Sequence, residues 1–166
     1  MMKIIISNLA DGEHVYEFKE EPSFFELEDF KTKDGLNVKV NLFKSNMQIH
    51  AKVRLEADCF FPCDRCLEEF DFKLENEFDA VFKYSKDEEE LKSNDDENLF
   101  FISPETNKID LKEIVREYAL LSVPMRKVPE EKDGVCVFCK KNIEEILRKN
   151  KEQEINPVWN KLLNKN

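Results

Sequence analysis

The chain has 166 residues, of which 41% are hydrophobic and 14 are phenylalanine, so its length fits one ordinary domain with a real apolar core. Its formal net charge of −10 argues against a protein that coats nucleic acid nonspecifically, because a polyanion would be repelled at long range. No run approaches the ~18 apolar residues of a membrane-spanning helix, and the beginning of the chain lacks the pattern of a signal peptide. We therefore expect a cytoplasmic protein, in which the five cysteines stay reduced.

Alternating apolar residues predict a hairpin in the first half of the chain. The alternation runs over residues 36–42 and, after a short turn, resumes over 47–61, which is typical of two half-buried strands. In this phase Cys59 lies on the core face, where a small buried thiol is expected. His50 falls on the opposite face and is expected to be a solvent-side residue.

A second stretch of alternation, over residues 70–84, predicts one long bent strand or a pair of strands, interrupted at 75–77. Residues 85–98 hold seven acidic and two basic side chains with little apolar material, which predicts a flexible loop. A short apolar run over 99–102 follows this loop.

The last third of the chain predicts two helices. Asp110 can cap the first helix, Glu113 can reach back to its start, and Pro124 stops it. Its predicted apolar face consists of Leu111, Ile114, Val115, Tyr118 and Leu121. Apolar residues from Ile143 onward predict another short helix, and 157–163 is expected to be a docked tail.

These elements predict an α+β protein that forms a single domain over residues 1–166. The part from 1 to 84 is rich in antiparallel strands, and the acidic loop of 85–98 follows it. The part from 99 to 166 contains the main helix, the short helix, a cysteine-containing segment and the tail.

Two Cys-x-x-Cys pairs, Cys63 with Cys66 and Cys136 with Cys139, carry the clearest chemical signal. A structural zinc ion takes four tetrahedral ligands, and two residues between cysteines let one tight turn direct both sulfurs at one ion. The 69 residues between the pairs add only about 1–1.5 kcal/mol of loop closure relative to a shorter zinc ribbon. This is small beside an apparent zinc-binding free energy of ~10–16 kcal/mol. We predict one structural Zn²⁺ held by four thiolates.

A thiol-based redox or metal-sensing protein is the alternative interpretation. Redox use of this motif generally places the first sulfur at a helix amino terminus, where the dipole stabilises a thiolate. Residues 67–74 alternate like a strand, which disfavours this use of the first pair, whereas the second pair precedes a helical pattern. Four cysteines would saturate a zinc ion, and His14 and His50 alone offer few candidates for acid–base catalysis. We therefore expect no enzymatic activity.

Positive charge is concentrated toward the carboxyl-terminal end. Residues 126–166 hold ten Lys or Arg against seven Asp or Glu, so residues 1–125 carry the acidic excess. A phosphate-contacting surface is therefore predicted in this segment, to which an arginine inside the first Cys-x-x-Cys pair could contribute. The simpler alternative is that these charges lie on solvated helix faces and in exposed salt bridges. The candidate nucleic-acid-binding residues are Arg65, Arg126, Lys127, Lys140, Lys141, Arg148 and Lys149.

Four short stretches follow one another in a fairly specific order. They are Cys63-Asp64-Arg65-Cys66-Leu67; Ile109-Asp110-Leu111, opening a helix that ends Leu120-Leu121-Ser122-Val123-Pro124-Met125; Gly134-Val135-Cys136-Val137-Phe138-Cys139 with Asn142; and Asn156-Pro157-Val158-Trp159 with Leu162. In this order they resemble the YceD family. The resemblance runs from about residue 36 to the end and is strongest over 109–163. Lys140 stands where relatives commonly have a glycine.

YceD-family proteins are associated with the accumulation of large-subunit ribosomal RNA and are described as metal-binding and nucleic-acid-binding. The resemblance implies a ribosome-biogenesis factor whose partner is large-subunit ribosomal RNA or a ribosomal protein, with no membrane partner. Some relatives lack the second cysteine pair, which implies that metal is not essential to the role that the family shares.

Overall fold

The computed structural model describes residues 2–27, 30–87, 89–92 and 98–153, with Lys92 and 149–153 described by their backbone alone. Its strands are β1 (Lys3–Ile5), β2 (Gly12–Glu20), β3 (Lys31–Thr32), β4 (Leu36–Lys44), β5 (Gln48–Pro62), β6 (Glu69–Tyr84), β7 (Leu99–Ile102), β8 (Lys108–Asp110), β9 (Glu131–Lys132) and β10 (Val135–Cys136). The helices are α1 (Lys112–Leu121) and α2 (Ile143–Gln153), with 3₁₀ turns at Pro22–Phe25 and Glu90–Lys92. None of these helices is long and apolar enough to cross a membrane.

The main sheet has the strand order β2-β4-β5-β6-β7, with β3 paired to β5 off this path. The predicted hairpin of β4 and β5 is confirmed, and their inward residues, Cys59 among them, are buried. His50 lies on the other face, where its Nε2 atom is 3.3 Å from Asp79 Oδ1. The fold is α+β, as predicted, but the sheet is mixed because β7 pairs with β6 in parallel.

Strand β6 runs without a break from Glu69 to Tyr84, which confirms one long strand rather than a pair, whereas the predicted interruption at 75–77 is wrong. The apolar alternation of the sequence breaks there because Asn76 occupies an inward position that an apolar residue would normally fill. Its Nδ2 atom donates to Ser122 Oγ at 2.7 Å and to the Tyr118 carbonyl at 3.3 Å. These hydrogen bonds satisfy a partly buried amide that the pattern of hydrophobic residues could not anticipate.

Helix α1 lies near its predicted position. Asp110 Oδ1 accepts a hydrogen bond from the backbone N–H of Lys112 at 3.1 Å, which satisfies one of the free donors at the helix start. The apolar face is buried at Leu111, Ile114, Val115 and Ala119. Leu121 does not belong to it, because its side chain is 76% exposed at the last helical residue.

Contacts within the chain define two compact units. The sheet unit comprises Met1–Phe60 and Asp71–Pro124, and the knuckle unit comprises Phe61–Phe70 and Met125–Asn166. The predicted short helix is confirmed as α2 in the knuckle unit, whereas the expected tail lies outside the described residues. The single domain over 1–166 stays a prediction.

Candidate metal centre

The first Cys-x-x-Cys pair forms a tight turn that follows β5. The backbone N–H of Cys63 donates to the Glu68 carbonyl at 2.9 Å, and the N–H of Leu67 donates to the Cys63 carbonyl at 2.8 Å. To close this turn, Leu67 adopts a left-handed conformation with φ of 61°. We call residues 63–68 the first knuckle.

The second pair forms the same turn. The N–H of Cys136 donates to the Lys141 carbonyl at 3.1 Å, and the N–H of Lys140 donates to the Cys136 carbonyl at 3.0 Å. Lys140 has φ of 59°, so it matches Leu67 in both hydrogen bonding and conformation. We call residues 136–141 the second knuckle. Glycine is favoured in a left-handed conformation, so a side chain at this position incurs a conformational penalty.

A hairpin places the second knuckle. Strands β9 and β10 pair antiparallel, with Lys132 opposite Val135, and only Asp133 and Gly134 lie between them. Both loop residues have positive φ, 53° and 74°, which is the requirement of a type I′ turn. Sequence reasoning missed this hairpin, although Asp-Gly is one of its strongest local signals.

The two knuckles bring their thiols together. The sulfurs of Cys66, Cys136 and Cys139 all lie within 4.8 Å of one another. Cys63 lies outside this group of three, but its side chain is buried and interacts electrostatically with those of Cys66 and Arg65. Sulfurs bound at about 2.3 Å to a tetrahedral zinc ion lie roughly 3.8 Å apart, so the spacing and the donor type fit such an ion.

The thiols of this cluster differ in acidity. Burial, together with the contacts with Cys139 and Cys63, raises the pKa of Cys66 to about 12. Burial also opposes ionisation of Cys139, but the Lys141 backbone N–H and the thiols of Cys66 and Cys136 together lower its pKa below the ordinary value. A bound cation would favour the thiolate at every one of these sulfurs. Cys59 belongs to the sheet unit, where burial raises its pKa to about 11.

Polar contacts join the first knuckle to the segment before the second knuckle. Arg65 is only 5% exposed; its Nη1 atom donates to Glu131 Oε2 at 2.7 Å and its Nη2 atom to the Pro129 carbonyl at 2.9 Å. The N–H of Asp64 donates to the Lys127 carbonyl at 2.8 Å, and Asp64 Oδ2 accepts from the N–H of Lys127 at 2.6 Å. The guanidinium of Arg65 therefore orients protein groups around the thiols.

The other predicted nucleic-acid-binding residues whose side chains are described are more exposed than Arg65. Lys141 forms an ion pair with Glu68 at 3.0 Å, which joins equivalent positions of the two knuckles. Lys127 Nζ lies 5.3 Å from the ring centroid of Phe61. Arg126, Lys140 and Arg148 are exposed, and the side chain of Lys149 lies outside the described residues. Contact of these residues with nucleic acid stays a prediction.

The family model described as large ribosomal RNA subunit accumulation protein YceD matches residues 51–164. The chain belongs to the YceD family. The match includes both knuckles and α1 but begins inside β5, so strands β1 to β4 precede the part that matches the YceD model. No curated protein matches the chain, and no solved structure does.

Proposed function

We propose that this YceD-family protein is a non-catalytic cytoplasmic factor that holds one structural zinc ion and assists the accumulation of large-subunit ribosomal RNA by contacting that RNA. The observation that carries the proposal is the pair of matching knuckles, which gathers cysteine sulfurs in a member of this family. The proposed ligands are Cys63, Cys66, Cys136 and Cys139, and a bound zinc ion would fix the loops that carry the basic side chains.

The surface of the knuckle unit supports RNA as the partner. Arg126 and Lys140 are exposed and form no ion pair with any described residue, so both cations are free to meet phosphate. Phe138 is also exposed, at the tip of the second knuckle. Unpaired bases in single-stranded RNA stack on aromatic side chains, which makes Phe138 a suitable platform for a base.

A groove of about 320 Å³ lies beside this basic surface. Its lining is Arg65, Cys66, Leu67, Lys141, Asn142, Glu145 and Ile146. The lining combines three apolar or thiol side chains with one amide and three charged groups, which suits an unstacked base, whose faces are apolar and whose edges form hydrogen bonds. The groove therefore offers a place for one nucleotide next to the proposed zinc ion.

Zinc content separates this proposal from the redox or metal-sensing alternative. We expect one tightly held zinc per chain in elemental analysis of protein purified under reducing conditions. A zinc-free protein with a reversible disulfide between the cysteines of one pair would instead support the alternative, to which the lowered pKa of Cys139 is suited.

RNA contact is tested with a charge-neutralised variant. Replacing Arg126, Lys140, Lys141 and Arg148 together by glutamine should weaken co-purification with immature large subunits and flatten its dependence on salt, because fewer phosphates are neutralised. The matched control neutralises four lysines of the sheet unit, Lys33, Lys83, Lys86 and Lys108, and should leave both unchanged. If the first variant behaves like the control, the partner is a basic ribosomal protein that meets the acidic sheet unit.

The role itself is tested by depletion. Cells that lack the protein should accumulate less large-subunit ribosomal RNA and more of its precursor. Normal amounts of both would contradict the proposed function, whatever the zinc content.

A further inference from the structure

Strand β2 forms an edge of the main sheet. All nine residues from Gly12 to Glu20 pair with β4 in unbroken antiparallel register, and among the described residues no strand pairs with the other side of β2. The strand contains no proline, and its register shows no bulge. A long straight edge of this kind leaves a row of backbone N–H and C=O groups ready to pair with another strand.

The side chains of β2 are incompletely covered. On its inward face His14, Tyr16 and Phe18 are only half-buried, whereas their β4 partners, such as Val40 opposite Tyr16, are fully buried. The rings of Tyr16 and Phe18 stack with centroids 6.4 Å apart. On the outward face Val15 is 60% exposed. An added strand would cover apolar and aromatic surface on both faces of the sheet.

We propose that the occupant of this edge is β2 of a second copy of the chain, paired antiparallel about a twofold axis at Tyr16. This register is the twofold arrangement in which all nine residues of β2 find partners, because Tyr16 is the middle residue of Gly12–Glu20. It sets Glu13 of each copy opposite Lys19 of the other. Neither side chain forms an ion pair with a described residue, so both are available for this contact.

Neighbouring registers lack this complementarity. A twofold axis at Val15 would set Glu13 opposite Glu17, and an axis at Glu17 would set that carboxylate against its own copy. Like charges directly opposite each other across a strand pair are destabilising, whereas opposite charges stabilise. The charge pattern therefore selects the register that also buries most of the strand.

The register also preserves the two faces of the sheet. Odd-numbered residues of one copy meet odd-numbered residues of the other, so outward side chains stay outward. On the inward face His14 meets Phe18 and Tyr16 meets Tyr16, which gives aromatic contacts of the kind that stabilise strand pairs. One continuous sheet would then run through both copies. This dimer involves the sheet unit alone and does not depend on the proposed RNA contact.

Charge-swap variants test the register, with the dimer dissociation constant measured by sedimentation equilibrium on the full zinc-loaded chain. Glu13→Lys and Lys19→Glu should each weaken the dimer by about tenfold or more, because each turns both attractive pairs into repulsive ones. The double variant, and an equimolar mixture of the two single variants, should recover wild-type association. Lys83→Glu on the outward face of β6 is the control and should change nothing.

Circular dichroism of each variant establishes that the sheet is intact, so a loss of association can be assigned to the interface. A wild-type chain that sediments as a monomer at its highest soluble concentration would overturn the proposal. So would a dimer that both single variants leave unchanged, or one that the mixture of variants fails to restore.

Discussion

The sheet unit and the knuckle unit differ in the kind of side chain that they bury. In the sheet unit, inward residues of β4, β5 and β6 such as Val40, Val53 and Leu74 are completely buried in an apolar core. The described buried residues of the knuckle unit are Phe61, Cys63, Arg65, Phe70, Cys136 and Ile146, half of which are thiols or a charged side chain. The first unit can derive its stability from apolar burial, and the second has little of it.

This difference explains why the knuckle unit, rather than the sheet unit, would need its cysteines for stability. A region with so small an apolar core does not repay the conformational entropy of ordering its loops, and small domains of this kind usually rely on a metal or disulfides. The knuckle unit has paired turns, an Asp-Gly hairpin and a buried arginine, which position the thiols without supplying much apolar area. We therefore expect the knuckle unit to depend on zinc and the sheet unit not to.

The largest expected effect comes from removing a sulfur. Cys63→Ser and Cys136→Ser should each abolish stoichiometric zinc, because structural sites need all four ligands and zinc binding supplies ~10–16 kcal/mol in small metal-dependent folds. Residues 125–153 should then exchange amide hydrogen rapidly and become protease-sensitive, while strands β4 and β5 stay protected. Elemental analysis together with hydrogen exchange measures both parts of this outcome.

Cys59→Ala is the control for that experiment, because Cys59 is buried in the sheet unit and belongs to neither knuckle. It should retain one zinc per chain. If the Cys63 variant also retains one zinc, the four-cysteine site is wrong and Cys63 has another role.

The next prediction concerns a substitution in the apolar core of the sheet unit. Leu74→Ala removes a completely buried side chain from β6 and should lower the free energy of unfolding by about 2–5 kcal/mol, the usual cost of such a cavity. Thermal unfolding followed by circular dichroism measures the loss. Zinc content should remain one per chain; a variant that loses its zinc as well would show that the two units are not independent in stability.

A smaller effect is expected from the buried arginine. Arg65→Met should destabilise the knuckle unit by about 1–3 kcal/mol, because hydrogen bonds to Glu131 and to the Pro129 carbonyl are lost. Glu131 itself is 61% exposed and can be solvated, which limits the cost. The readout is faster hydrogen exchange over 127–131 at full zinc occupancy.

Arg148→Met is the matched control, since the pair that it forms with Glu144 is exposed on both sides. Exposed ion pairs contribute little, so this change should leave exchange over 127–131 unaltered. Equal effects of the two variants would refute a positioning role for Arg65.

The smallest effect concerns the left-handed residue of the second knuckle. Lys140→Gly should stabilise the knuckle unit by up to about 1 kcal/mol, because glycine adopts a φ of 59° without the penalty that a side chain incurs. The concentration of chelator that removes half of the zinc should rise. Lys132→Gly, in strand β9, should lower this chelator concentration, since glycine weakens an ordinary strand position. If both variants lower it, the left-handed conformation of Lys140 does not cost stability.

Much of the fold could be predicted from local patterns. The period-two alternation located β4, β5 and β6, and Asp110 together with the apolar face that follows it located α1. The pairing of β7 with β6 could not be predicted, because a parallel partner is chosen by contacts distant in the chain rather than by the four-residue strand itself. Asn76 and Leu121 departed from the patterns for a similar reason, since tertiary contacts decide which side chains are covered.

The candidate site was predictable in its residue types and only partly in its construction. Spacing alone indicated that both cysteine pairs form turns suited to one metal ion, and the structure gathers three of the four sulfurs. The buried position of Arg65 was not predictable, because an arginine between two cysteines has no local signal for burial. Its partner Glu131 lies 66 residues away in the chain.

The distance along the chain between the two knuckles also has a consequence in time. At a synthesis rate of about 5–20 residues per second, the second knuckle leaves the ribosome roughly 4–14 s after the first knuckle. During that interval Cys63 and Cys66 are a two-thiol half-site, open to oxidants and to competing metals. The thiols of the nascent chain can therefore react before the second pair is available. The yield of folded protein in the cell should depend on how reducing the surroundings are during synthesis.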